Sequence, residues 1–234
     1  MNIKHNIMNN PLQHKKLNCF LQTRAEANEA TEEIIKHGLI PHGLSCKDWD
    51  IVCILPRIGD GNFCDLGADG SFILQNLVHC GHEGLKYGID LAFPENPPAP
   101  EGIKYFKGDL MHTHFEDGLF TTLTCLSVVE HQVNYAELAQ ECARLLAPGG
   151  QLFLTCDYWE PKVNTEGMKL YSLNWEILDK SNILALVDEM AKAGLKITSE
   201  IDWTLNEAVI TPAYCSPVQG VSYTFGVFHF IKQP

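Results

Sequence analysis

Apolar residues recur along this chain in two alternating rhythms. Short continuous runs rich in β-branched and aromatic residues occupy 63–66, 85–89, 103–106, 119–126, 151–156, 195–201 and 221–231, and they read as strands. Between them, 71–80, 134–146 and 183–193 carry the three-to-four spacing of amphipathic helices. Glycine or proline closes each helix: Gly81, then Pro148-Gly149-Gly150, then Gly194. Asn134 stands three residues before Glu137 in a capping-box-like start, and Ser181 is a candidate cap for the last helix. Upstream, 24–37 reads as a helix stopped by Gly38, and 48–55 as a short helix closed by Pro56.

Strands alternating with helices predict an α/β fold with a mostly parallel sheet covered on both faces. No strong helical pattern separates the last two strands, so the final one is expected to insert antiparallel. Residues 205–210 could give one helical turn there. Residues 1–23 have little periodicity and read as a loose arm or a short substrate-side element, and 157–174 reads as a long polar and aromatic loop. The expected division is 1–55, an N-terminal arm and helices, and 56–234, the sheet domain. Neither repeats nor low-complexity segments interrupt it.

Composition narrows the function classes. With a formal net charge of -12 and no Lys/Arg-rich run, the chain is a poor match to a phosphate-backbone binder, so nucleic acid is not expected as a partner. The stretch from Met1 to Pro11 is polar and lacks a signal-peptide core, and no apolar run approaches a membrane span. Nine scattered cysteines, an odd number, suit reduced thiols in a cytoplasmic protein. Nothing in the pattern assigns an oligomeric state.

The chemistry-bearing residues fall at strand ends. The first strand runs into Asp65-Leu66-Gly67-Ala68-Asp69-Gly70-Ser71, an acidic turn with glycine where a ligand can approach the backbone. Asp90-Leu91 ends the second strand, where an acid can accept hydrogen bonds from ribose hydroxyls. Asp109-Leu110 follows the third, offering a carboxylate for an exocyclic amine and an apolar face for a flat base. Ser127-Val128-Val129-Glu130-His131 follows the fourth. In an open α/β sheet these ends share one edge, where ligands bind.

The order and spacing of these segments resemble the class I S-adenosylmethionine-dependent methyltransferases. The 65–71 turn resembles their glycine-rich first motif, and Lys86-Tyr87-Gly88-Ile89-Asp90 their acidic second motif. Cys125-Leu126-Ser127-Val128-Val129-Glu130-His131 resembles the strand-four motif, and Arg144-Leu145-Leu146-Ala147-Pro148-Gly149-Gly150 the lead-in to strand five. The resemblance covers about residues 60–232. It implies a Rossmann-like three-layer sandwich with a seven-stranded sheet and an antiparallel last strand, with S-adenosylmethionine as cofactor.

The resemblance also implies roles. Asp65, Gly67, Ala68 and Asp69 would lie along the methionine part of the cofactor. Asp90 with Leu91 would take the ribose, Asp109 with Leu110 the adenine, and Ser127 the methionyl side. His131 is the candidate catalytic base, with orientation of its loop as the alternative role. The expected function is methyl transfer to a hydroxyl or amine of a small-molecule acceptor. Segments 1–55 and 157–176 would shape the acceptor site, with Tyr158, Trp159, Tyr171 and Trp175 as its wall or a packed lid. The chain departs from the family pattern at Asp69 and Ser71, where glycine is usual. That leaves a degenerate cofactor-binding protein as an alternative. A nicotinamide oxidoreductase is disfavoured because a full G-x-G-x-x-G is absent. His79-Cys80 with His82 is weak as a metal site, and no metal is expected.

Overall fold

The computed structural model describes residues 15–214 and 220–234. The stretch from Met1 to Pro11, read above for a leader, lies outside them. The elements are β1 (Cys19–Phe20), α1 (Arg24–Lys36), α2 (Ser45–Ile54), β2 (Phe63–Leu66), α3 (Ile73–His79), β3 (Lys86–Asp90), β4 (Lys104–Lys107) and β5 (Phe120–Leu126). Then come α4 (Tyr135–Leu145), β6 (Leu146–Tyr158), β7 (Lys169–Leu170), β8 (Leu173–Asn174), α5 (Lys180–Lys192), β9 (Leu195–Ile197) and β10 (Thr224–Lys232).

Eight strands form the main sheet, in the order β1-β10-β6-β5-β2-β3-β4, with β9 also paired to β10. β2 pairs in parallel with β3 and β5, β3 with β4, and β5 with β6. β10 runs antiparallel to β6, as its neighbourless position in the helical pattern implied. The strand beyond the expected seven is β1, two residues of the supposed arm that pair with Val227 and Gly226 of β10. Its signal was hidden because one buried asparagine holds it. Asn18 donates to Thr198 and Ser199, accepts from the His229 amide at 2.8 Å, and sits at φ 55.

Alternation along the strands sends side chains to two cores. Phe63, Phe153 and Val227 pack with α1, α2 and α3 on one face. Cys64, Leu152, Leu154 and Phe228 pack with α4 and α5 on the other. The eight cysteines among the described residues are free thiols, seven of them buried, and act as small apolar filler.

Several local expectations are corrected. α5 is capped by Asp179, not Ser181: Asp179 accepts from the Asn182 amide, and the Asn182 side chain accepts from the Asp179 amide. Ser181 instead donates its hydroxyl to Asp179 at 2.6 Å. β6 extends back through Pro148-Gly149-Gly150 to Leu146, because the chain passes from α4 into the sheet without a loop. The 205–210 segment is not helical; Ile210 bridges Tyr223. The 157–174 stretch contains the β7–β8 hairpin, turned by Tyr171 and Ser172 at φ 54 and 67.

Two neighbouring glycines separate conformational from steric cost. Gly84 has φ +107, and a Cβ there would strike the carbonyl of Gly61; Gly81 has φ +68 and open space around it. Gly81→Ala should cost about 1 kcal/mol for the left-handed backbone alone. Gly84→Ala should cost about 3 kcal/mol, since the turn before β2 must also move. Urea midpoints of the two variants check the difference.

Candidate active site

Parallel pairing of β2 with β3 and β5 sets the carboxyl ends of these strands side by side. Gly67 turns away at φ +83, and a Cβ there would collide with Val128 of the β5 corner. The first-motif turn and the strand-four motif therefore touch. The Gly67 and Ala68 amides donate to the Ile89 carbonyl, tying the same turn to β3.

Asp90 is half-buried, and its carboxylate accepts from the Asp69 amide at 3.0 Å and the Ala92 amide at 2.7 Å. The acid is thus aimed by two loops, and each oxygen keeps lone-pair capacity. Asp69 takes part through its backbone, and its side chain is exposed. Asp65 is buried, and Thr124 donates to it at 2.6 Å. Burial pushes the Asp65 carboxyl up to about 6, against the Ser71 and Thr124 hydroxyls. Leu91 is exposed beside Asp90, while Leu110 is buried. Asp109 accepts from the Met111 amide at 2.9 Å in an Asx turn and meets His112 Nδ1 at 3.4 Å.

Ser127 occupies φ 55, a strained position for a residue with a side chain. Its amide donates to Thr155, and its hydroxyl receives the ammonium of Lys47 from α2. His131 donates from Nδ1 to the Asn174 carbonyl at 3.3 Å, which fixes the tautomer and leaves Nε2 with its lone pair. Burial holds its pKa below the ordinary value, against the Asn174 hydrogen bond. The same bond fastens the strand-four loop to β8.

A charged group missed in the sequence lies behind Ser127. Lys47 Nζ is 3.4 Å from Asp50 Oδ2 and 4.1 Å from the centre of the Phe225 ring. Thr155 donates to Asp50 at 3.3 Å, and Trp175 Nε1 donates to Asp157 at 2.8 Å. Burial pulls the Lys47 ammonium down, but Asp50, Asp157 and Glu130 outweigh it and leave its pKa raised. Burial raises Asp50 to about 6 and Asp157 to about 7, with Lys47 opposing both. Glu130 is pushed well above its ordinary value by burial and by Asp157. Lys47 and Asp50 look in sequence like a surface pair at i,i+3, and Asp157 like the start of a polar loop. Only the continuous apolar character of 51–55 hinted that α2 is buried.

Beyond Trp175 a cavity of about 510 Å³ opens, lined by Gln132, residues 162–168 and residues 174–176. Of the expected aromatic wall, Trp175 borders it; Tyr158 instead stacks on Phe20 at 4.0 Å, and Tyr171 is 81% exposed at the hairpin tip. Among the described residues no group of three or more side chains is arranged to hold a metal, and His82 Nε2 lies 2.9 Å from the Gly59 carbonyl.

The sheet order and the convergent strand-end loops give the same Rossmann-like fold as solved S-adenosylmethionine-dependent methyltransferases. Residues 65–154 match the family model described as "Methyltransferase domain". Among solved structures, the geranyl diphosphate C-methyltransferase of Streptomyces coelicolor A3(2) superposes with a TM-score of 0.58 at 15% identity, covering 99% of this chain and 98% of that one. An S-adenosylmethionine-dependent methyltransferase from Mesorhizobium loti gives 0.53 at 15% identity, over 79% and 97%. The ubiquinone biosynthesis O-methyltransferase of Sodalis glossinidius is 26% identical over 112 residues, 43% of each chain. That of Xanthomonas oryzae pv. oryzae strain PXO99A is 27% identical over 129 residues, 49% of this chain and 50% of its own. The chain spans about half the length of the curated relatives it matches.

The raised Asp65 gives a signed pH effect. Its folded pKa, about 6, exceeds the ordinary 3.8, so the protonated form favours folding and ionisation opposes it. Its contribution is full below the ordinary value and is lost as pH rises through the folded one. Asp65→Asn should therefore gain stability relative to the unmodified chain between pH 4 and 7. Urea unfolding of the pair across that range checks this, because the buried histidines cancel in the difference.

Proposed function

We propose that this protein binds S-adenosylmethionine at the carboxyl ends of β2, β3, β4 and β5 and transfers its methyl group to a small-molecule acceptor. The observation that carries the reading is the single edge shared by the Ser127 corner, the Gly67 turn, Asp90 and Asp109-Leu110, in the order the sheet presents them. The residues fit the cofactor chemically. Gly67 lets the first-motif turn close against Val128, and Asp90 presents oriented acceptor oxygens for two vicinal hydroxyls. Asp109 supplies an acceptor and Leu110 an apolar face for the adenine.

When bound, the cofactor supplies an electrophilic methyl group on a sulfonium. The protein's part is to hold acceptor and methyl in line and to exclude water. The acidic loops suit a cationic cofactor. His131, with its tautomer fixed, is a base candidate where the acceptor must lose a proton. Asp69 is exposed and its amide helps to aim Asp90, which favours a working site over a degenerate one. The cavity bordered by Trp175 would admit the acceptor. A small molecule is supported by the names of the curated relatives, ubiquinone biosynthesis O-methyltransferases, and by the acidic balance of the chain. Among the described residues no helix is long and apolar enough to cross a membrane.

Calorimetric titration with S-adenosylhomocysteine tests the reading. The protein should bind it, and Asp90→Ala should weaken binding by about tenfold to a hundredfold, the worth of charge-assisted hydrogen bonds to the ribose. Equal affinity in the variant would contradict the assignment of Asp90.

A further inference from the structure

The acceptor side of the site contains more carboxylate than its own contacts use. Asp50 and Glu130 are each 1% exposed, and Asp157 is 4% exposed. Among the described residues, Asp50 Oδ1 and Glu130 Oε2 are buried without a hydrogen-bond partner. A buried, unpaired acceptor is costly and is normally satisfied by protein, water or ligand. Three carboxylates face one lysine, so full ionisation would leave two negative charges uncompensated.

The group also shows what it holds well. The Lys47 ammonium rests against a carboxylate, the Ser127 hydroxyl and the face of Phe225, with its side chain 21% exposed. Carboxylate, hydroxyl and aromatic face together make a cation cradle. Trp175 and Tyr223 add further aromatic surface, packed edge to face at 5.6 Å. Trp175 links the two compartments: its N–H holds Asp157, and its residue borders the cavity.

We propose that the acceptor is an amine that enters as its ammonium ion, is received by Asp157 and Glu130, and gives up a proton to Asp157 before its nitrogen is methylated. A hydroxyl would bring one donor and no charge. An ammonium brings several donors and a positive charge, and so answers both the unpaired Glu130 oxygen and the acid excess. The proton step is R–NH3+ with the Asp157 carboxylate giving R–NH2 with the Asp157 carboxylic acid, which frees the lone pair and conserves charge. Asp157, held near neutrality by its surroundings, suits that exchange at physiological pH. The groups facing it are Lys47 and Asp50 from α2, Glu130 from the turn after β5, and Tyr223 beside β10.

The inference rests on the cofactor reading above, and sinefungin separates the two. In that analogue an amine-bearing carbon replaces the methylated sulfonium, so its ammonium points where the acceptor nitrogen would meet the methyl group. Calorimetry on the full chain at pH 7.5 should show sinefungin binding about tenfold more tightly than S-adenosylhomocysteine. Repeating the titration in buffers of different ionisation enthalpy should show net proton release with sinefungin alone, as the incoming cation favours ionised carboxylates. Asp157→Asn and, as a second variant, Glu130→Gln should reduce the preference to under about threefold and abolish the proton release, with S-adenosylhomocysteine affinity unchanged. A preference unaltered in both variants would overturn the inference and leave the cofactor reading standing. So would S-adenosylhomocysteine release on matched small alcohols in preference to small primary and secondary amines. Failure of the unmodified protein to bind S-adenosylhomocysteine at all would overturn the cofactor reading, and this inference with it.

Discussion

A parallel strand flanked by parallel strands on both sides must end where its neighbours end. β2 is such a strand, buried along all four residues between β3 and β5. Its hydrogen bonds fix the register, and the register fixes the loops. Asp65 pairs across to Gly88 and Thr124, so the Gly67 turn, Asp90 and Ser127 emerge together. Gly88 is required for the same reason: a Cβ there would lie 2.7 Å from the Tyr105 ring and 2.8 Å from the Ala68 methyl. The close fit of β3 against the first-motif turn leaves little freedom in where the edge is built.

That constraint was legible because it is local. A buried parallel strand reads as a short apolar run, and the turn after it must carry glycine or a small polar residue. β2 and the main body of β5 were therefore recovered with nearly the same bounds, and α4 by its Asn134 start, whose side chain accepts from the Ala136 and Glu137 amides. β1 and the β7–β8 hairpin were not legible. Each strand is two residues long, and the hairpin turns through Tyr171 and Ser172 in backbone conformations usually given to glycine or asparagine. Such elements are stabilised by distant partners, not by their own spacing.

The candidate site divides along the same line. Its cofactor side consists of residues next to strand ends, each announced by a motif. Its proposed acceptor side brings Lys47 and Asp50 within electrostatic reach of Glu130 and Asp157, which are widely separated in sequence. No periodicity marks such a group. A lysine and an acid three residues apart look like a solvated helix face, and only the packing of α2 against the sheet turns them inward. The candidate base was named at His131, whereas the adjoining Glu130 is the more deeply buried of the pair.

Burying this group costs stability. Carboxylates taken out of water are each disfavoured by several kcal/mol unless they are paired, and one lysine cannot pair three. The fold limits the cost by keeping protons on the acids: Asp157 is raised to about 7 and Glu130 lies well above its ordinary value. An apolar core of the same shape would be more stable, so stability does not explain the cluster. Strained or costly polar arrangements persist where a site needs them. Here the cost sits at the Ser127 corner, a non-glycine residue at positive φ that carries the Lys47 contact and lies on the edge proposed for the cofactor. A structural ion pair would have no reason to collect its charge excess at that corner. A pocket that must meet a cation, shed its proton and leave a nucleophile facing a methyl donor would collect it there.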